Sequence, residues 1–158
     1  ERRAQVENIR IIQEYEASLP NIRSDQLQLQ QVFLNLLNNA IDALKPKRGG
    51  EIRITASCEE DDLLTSVADN GIGIQAEHME KIFLPFFTTK PVGQGTGLGL
   101  STCYGIIERL GGQIMVNSEL NAGTVFTVRL PLAGPPEKEE AQTRPSQGEL
   151  AKWAPLTS

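Results

Sequence analysis

Between Leu27 and Leu44 apolar residues recur at the spacing of one helical face, through Val32, Phe33, Leu36, Leu37, Ala40, Ile41 and Leu44. A helix with so broad an apolar stripe has to be covered, and the segments around it are strand-like. "IRIIQEYEASLP" precedes it and reads as a strand stopped by Pro20. "EIRITASC" and "LLTSVAD" follow, joined by the acidic turn "EEDD" as a hairpin, and "QIMVNSE" and "GTVFTVRLPL" close the pattern around the turn "LNAG". Ser24 and Asp25 are suited to cap the first helix, and "KPKRGG" ends it. A second helix is predicted from Leu98 to Leu110, stopped by Gly111 and Gly112. "AEHMEKIF" reads as a short helical segment, and Pro85 and Pro91 bracket an irregular stretch. Strands grouped with helices outside strict βαβ alternation predict an α+β fold, with helices packed on one face of a mixed sheet.

Composition narrows the function. The formal charge of −5 argues against a nucleic-acid surface, which needs a basic patch. Cys58 and Cys103 form no CxxC pair and have no histidine-rich neighbourhood, so neither a disulfide nor a zinc site is expected, and a reducing compartment such as the cytoplasm fits. No apolar run approaches the roughly 20 residues of a membrane helix, although a longer parent chain is free to carry an anchor elsewhere. The chain does not begin with methionine and reads as a fragment. Residues 133–158 are rich in proline and charge and are expected to be a disordered tail or linker, in which Trp153 is either a plain tail residue or a docking anchor.

Four stretches carry candidate chemistry. On the first helix, Asn35, Asn39 and Asp42 fall at i, i+4 and i+7 and form a polar stripe, expected opposite the apolar one. Such a stripe serves equally as a solvated face or as a site, and an asparagine oxygen is a neutral, hard ligand suited to a hydrated, phosphate-bound magnesium ion. In "VADNGIGI", Asp69 ends a strand on the same face as Val67. There it can accept from an exocyclic amino group, or simply face water in a tight turn. Gly71 and Gly73 would let a flat ring approach the backbone. "FLPFFTTKP" sets Phe83, Phe86 and Phe87 around Lys90, a lysine able to reach phosphate, though the aromatics suit a core as well. "GQGTGLGLS" places glycines at every second position directly before a helix, a nest of amides at the positive helix end. No lysine follows these glycines and no strand precedes them, so this is neither a P-loop nor a dinucleotide fingerprint.

In chain order, "NLLNNA", "DNGIGI", "FLPFFTTK" and "GTGLGL" resemble the N, G1, F and G2 boxes of sensor histidine kinases. That family shares its ATP-binding fold with gyrase, the large heat-shock chaperones and the MutL mismatch-repair proteins. The resemblance covers Ser24 to Leu132, and "FFTTK" is most similar to the nitrogen-regulation type. It implies a two-layer α/β sandwich of the Bergerat type, with about five mostly antiparallel strands over residues 11–132. Residues 1–10 would then end an upstream dimerisation hairpin or linker. By the same resemblance Asn39 would bind Mg2+ with Asn35 supporting it, and Asp69 would bind the adenine amino group beside Gly71 and Gly73. Residues 83–96 would form an ATP lid that contributes Thr89 and Lys90. Gly95, Thr96, Gly97, Leu98 and Gly99 would cradle the phosphates, and Thr124 would stand near an adenine-bound water.

Two features of the sequence direct the chemistry. The ATP-hydrolysing relatives carry a glutamate base where this chain has Asn35, so transfer to a nucleophile other than water is the reading, with Asp42 the one conceivable substitute base. The family's phosphorylated histidine lies on the dimerisation hairpin, whereas the single histidine here, His78, reads as an ordinary surface residue. The expectation is the ATP-binding domain of a kinase that phosphorylates a histidine on a separate dimerisation domain, which in turn feeds the receiver domain of a response regulator. The fragment is expected to be monomeric and the parent kinase homodimeric. A gyrase- or chaperone-like ATPase, an anti-sigma-type serine kinase and a nucleotide-binding scaffold without turnover stand as alternatives.

Overall fold

A computed structural model describes residues 8–136. The expected upstream hairpin end (residues 1–7 of it) and most of the expected tail, Trp153 included, lie outside the described residues.

Strand β1 (Ile9–Tyr15) leads into helix α1 (Gln26–Leu44), followed by the hairpin of β2 (Gly50–Glu59) and β3 (Asp62–Asp69). A single 3-10 turn (Ala76–His78), helix α2 (Gly99–Arg109) and strands β4 (Gln113–Glu119) and β5 (Gly123–Pro131) complete the order. The five strands form one sheet in the order β1-β2-β3-β5-β4, with β1 parallel to β2 and the remaining pairs antiparallel. This is the α+β sandwich expected, with two differences. β1 starts at Ile9, so residues 9 and 10, placed with the upstream segment in the sequence reading, belong to the sheet, and it ends at Tyr15 rather than running to Pro20. "AEHMEKIF" forms only i→i−3 bonds (His78 to Gln75, Met79 to Ala76, Lys81 to His78), so it is a chain of turns rather than an α-helix.

Helix α1 begins where the sequence says it should. Asp25 is extended and its carboxylate accepts from the Gln28 amide at 3.1 Å, satisfying one of the orphan donors of the first turn. Val32, Leu36, Ala40 and Leu44 face the sheet and are buried, meeting Ile52, Val67, Phe126, Val128 and Leu130 of the strands. Cys103, Ile106 and Ile107 of α2 fill the remaining side of the core. The opposite sheet face is solvated and carries ion pairs of Arg53 with Glu14 and of Arg129 with Asp62. Strand register places Ile52, Asp69, Thr124 and Ser118 in one row across four-fifths of the sheet's width, from β2 to β4. The helix-facing side is therefore apolar along its length and polar in its last row, and that row is where the site begins.

Leu36 is fully buried beneath the polar stripe of α1. Leu36→Ala is expected to cost roughly 2–5 kcal/mol in a urea titration read by circular dichroism.

Candidate functional site

The polar stripe of α1 is not a solvated face, and it does not lie opposite the apolar one. From Val32 to Leu44 the exposed positions are Leu34, at 60% of its surface, and Asn38, whereas Asn35, Asn39 and Asp42 are half-buried between that exposed line and the core. Each is differently engaged. Asn35 Nδ2 donates to the Gly99 carbonyl at 3.3 Å, tying α1 to the start of α2. Asp42 receives Lys45 at 2.5 Å on one oxygen and Lys90 on the other. Burial raises the Asp42 pKa, but the two ammonium groups outweigh it and hold the carboxyl below its ordinary value. In this arrangement Asp42 holds two ammonium groups rather than standing free as a base. Asn39 Nδ2 is buried and has no protein acceptor. Leaving such a donor unmade costs about 1–3 kcal/mol, an expense at home in a ligand site.

Asp69 ends β3 in register with Thr124 and Ile52. Its Oδ1 accepts from the Gly71 amide at 2.9 Å. Burial raises its pKa, and the backbone hydrogen bonds from Gly71 and Thr124 offset only part of that shift. Beside it Thr124 is buried, with its hydroxyl 2.8 Å from Ser118 Oγ. Ser118 also accepts from the Ile74 amide at 2.8 Å and donates to the Gly123 carbonyl at 3.0 Å. Ser118 and Asn70, whose Oδ1 accepts from the Glu51 amide at 2.8 Å, shape this corner and were not singled out in the sequence. Strand alternation opposite Thr124 is the signal that would have found Ser118.

The glycines of "NGIGI" have a different reason from the one expected. A Cβ on Gly71 would stand 2.5 Å from the Ala43 carbonyl oxygen, and one on Gly73 2.1 Å from that of Glu119. Both positions where a side chain would begin point into protein backbone rather than toward a ring. Gly73 also has φ +71, which L side chains rarely adopt. What these glycines permit is the docking of the loop between α1 and β4, completed by hydrogen bonds from Ile72 N to Ala43 O and from Asn121 N to Ile72 O.

The lid is pinched at its base. Phe86 N donates to Gly97 O at 2.8 Å, Phe86 and Gly97 both have positive φ (67° and +69°), and a Cβ on Gly97 would lie 2.4 Å from the Phe86 carbonyl carbon. Between them Thr88, Thr89 and Thr96 are exposed, and Val92 is fully exposed at 106%. The Thr88 hydroxyl accepts from the Lys90 amide at 3.1 Å, and that of Thr96 from the Leu98 amide at 3.3 Å. Gly95 packs within reach of Thr88 Oγ1, where a Cβ would come to 2.7 Å. Leu98 and Gly99 open α2, whose N-cap has no side-chain partner and whose first turn has no acidic residue, leaving amides facing the lid base. His78, taken as an ordinary surface residue, is half-buried, with its ring 5.4 Å from that of Phe87. A groove of about 930 Å³ near Leu19, Ile22 and Leu29 is lined by none of the expected ligands.

A sequence model of the family described as histidine kinase-, DNA gyrase B-, and HSP90-like ATPase matches residues 24–134. The chain belongs to that family. It is 43% identical over 125 residues to the sensor kinase CckA of Brucella abortus (strain 2308), an alignment covering 70% of this chain and 13% of that protein. The nucleotide-free catalytic domain of the histidine kinase ThkA superposes with a TM-score of 0.70 at 39% identity, over 80% of each chain. Full-length ShkA, solved with AMPPNP, gives 0.73 at 31% identity, over 84% of this chain and 27% of that one. Within the family, then, this is a catalytic ATP-binding domain of the sensor histidine kinase type. Among the described residues no helix is long and apolar enough to cross a membrane, and no three or more His, Cys, Asp or Glu side chains cluster as metal ligands.

Gly71→Ala is expected to destabilise the fold by roughly 3 kcal/mol, because its new methyl meets backbone. Gly105→Ala, in mid-α2 with only the end of Arg109 nearby, should instead stabilise by about 1 kcal/mol, both read by denaturant midpoints. A second expectation concerns pH. With its folded pKa raised, Asp69 contributes stability that is present below its unfolded pKa and lost as pH rises through the folded value. Asp69→Asn removes that loss. The variant should match the wild type in acid and melt higher from about pH 4 upward, by a margin that becomes constant once the pH has passed the folded value.

Proposed function

We propose that this domain binds ATP with Mg2+ among α1, the 70–74 loop, the lid and the start of α2, and that it transfers the γ-phosphoryl group to a histidine on a separate dimerisation domain. The observation that carries the reading is the state of the carboxylates on α1. Asp42 is the only one, and it keeps Lys45 on one oxygen even when Lys90 turns to the nucleotide, while Asn35 and Asn39 are amides without basic character. With no free base on α1 to activate water, the arrangement suits a nucleophile brought from outside.

Asp69 would accept from the adenine amino group, with Thr124 and Ser118 holding the polar corner. The amide of Asn39 fits a metal–phosphate site at both ends, since its oxygen is a hard ligand and its unpartnered Nδ2 a donor to phosphate oxygen. The magnesium would neutralise phosphate charge, as a phosphoryl transfer requires. Asn35 would keep α1 and α2 in register, the α2 amides with Gly95, Thr96, Gly97, Leu98 and Gly99 would receive the phosphates, and Thr89 and Lys90 would close from the lid. In the step itself an imidazole nitrogen attacks the γ-phosphorus and the bond to the β–γ bridging oxygen breaks. ADP leaves, and the ring proton passes to solvent. The phosphohistidine would then supply an aspartate on a response regulator receiver domain, in a homodimeric parent working on the cytoplasmic side, where ATP is. The nucleotide in ShkA and the sensor-kinase relatives support this assignment.

The test is a calorimetric titration of Mg–ATP into the wild type and Asp69→Asn, followed by addition of a histidine-bearing dimerisation hairpin. Wild type is expected to bind with a Kd on the order of micromolar, and the variant at least about tenfold more weakly, as befits a lost charge-assisted hydrogen bond. Acid-labile phosphate should then appear on the hairpin. Rapid release of free phosphate without an acceptor would instead make the domain an ATPase of the gyrase or chaperone kind.

A further inference from the structure

The outer part of the expected lid, residues 88–96 of 83–96, carries one charged side chain, Lys90. Its other hydrogen bonds are internal: the Lys90 amide to Thr88 Oγ1, the Gln94 amide to the Pro91 carbonyl, and the Leu98 amide at its edge to Thr96 Oγ1. Among the described residues, the one polar link from this loop to the body of the fold is the Lys90 ammonium donating to Asp42 Oδ2. The two side chains are only 36% and 26% exposed, so the pair is partly shielded from solvent. Asp42 stands three residues after Asn39 on the same stripe, and Lys45, which takes its other oxygen, belongs to the end of the same helix and cannot restrain the lid.

We propose that Asp42 is a latch: in the nucleotide-free domain it holds the lid against α1 by Lys90, and a nucleoside triphosphate has to draw Lys90 away from it. The pair as such stands on the structure alone, whereas the exchange with triphosphate rests on the functional reading above. Asp42 is therefore a positioning residue rather than a catalytic one. The physics is competition for one ammonium. A half-exposed ion pair is worth little, small enough for a polyphosphate carrying several charges to displace and large enough to bias where a short glycine-flanked loop resides. Triphosphate affinity is then lowered by the latch, because a binding-competent lid is only part of the free population.

Backbone relaxation of 15N-labelled, nucleotide-free domain tests the latch without any ligand. In Asp42→Asn and in Lys90→Met the amides of residues 88–96 should lose order to the same extent, toward order parameters below about 0.6, and the double variant should add nothing. Lys45→Met should leave them at the wild-type level. Unchanged lid order in Asp42→Asn would overturn the proposal. Mg–ATP titrations then separate a latch from a simple charge effect. Asp42→Asn should tighten binding about threefold when Lys90 is present and not at all in the Lys90→Met background. Tightening that persists without Lys90 is charge relief, and it too would overturn the latch. Failure of every variant and of the wild type to bind ATP would count against the functional reading, while the relaxation data would still decide whether the pair restrains the lid.

Discussion

Helix α1 has to be dry along Val32, Leu36, Ala40 and Leu44 and polar along Asn35, Asn39 and Asp42, and the two stripes are neighbours. Everything else in the molecule depends on how that helix lies on the sheet. Docking the dry stripe on Ile52, Val67, Phe126 and Val128 leaves the polar one facing sideways, where α2 begins and the lid returns. The core and the site are then two consequences of one packing choice. Rotating α1 to bury more apolar surface would swing Asn39 into the core, and rotating it the other way would expose Leu36.

The site is held at some cost to the fold. Asp69 keeps a carboxylate in a place where burial works against its charge, and Asn39 keeps a buried donor without a protein partner. Asn39 breaks the usual rule that buried polar groups are satisfied within the chain, whereas Asp69 keeps its backbone hydrogen bonds and bears only the cost of burial. Elsewhere the rule is kept closely: Ser118 answers the Ile74 amide, the Gly123 carbonyl and Thr124, and Asn70 answers the Glu51 amide. An orphaned donor at Asn39 and a desolvated carboxylate at Asp69 point to binding more clearly than the groove of about 930 Å³ beside Leu19 and Ile22, which is lined mainly by apolar and neutral polar side chains.

Much of this was legible in the linear chain because it is local. Helical spacing from Leu27 to Leu44, the Asp25 cap, the strand pair around "EEDD" and the stop at Gly111-Gly112 each depend on residues within a few positions of one another. The family was legible through four motifs in chain order. Less legible was why particular residues are there. Gly71 and Gly73 looked like room for a ring, and they prove to be clearance for the carbonyls of Ala43 and Glu119, residues 28 and 46 positions away. The extent of β1 was misjudged because "EASLP" continues an apparent strand, whereas ladder pairing stops at Tyr15 and Ala56 and the next β2 amide, of Cys58, goes to the Glu16 carboxylate instead of to backbone.

Sequence by itself determined the elements, their order and the residue types of the polar stripe and glycine-rich turns, since periodicity, caps and turn glycines act over one or two turns of chain. Only the tertiary structure decided what each polar group does. Lys90 and Asp42 are 48 residues apart and Asn35 and Gly99 are 64 apart, and no local preference links such pairs. Their meeting follows from strand register and from the rotation of α1 on the sheet, which minimise exposed apolar surface over the whole domain. Whether Asp42 acts as a base or holds a lysine is therefore set by the packing of the core beneath it.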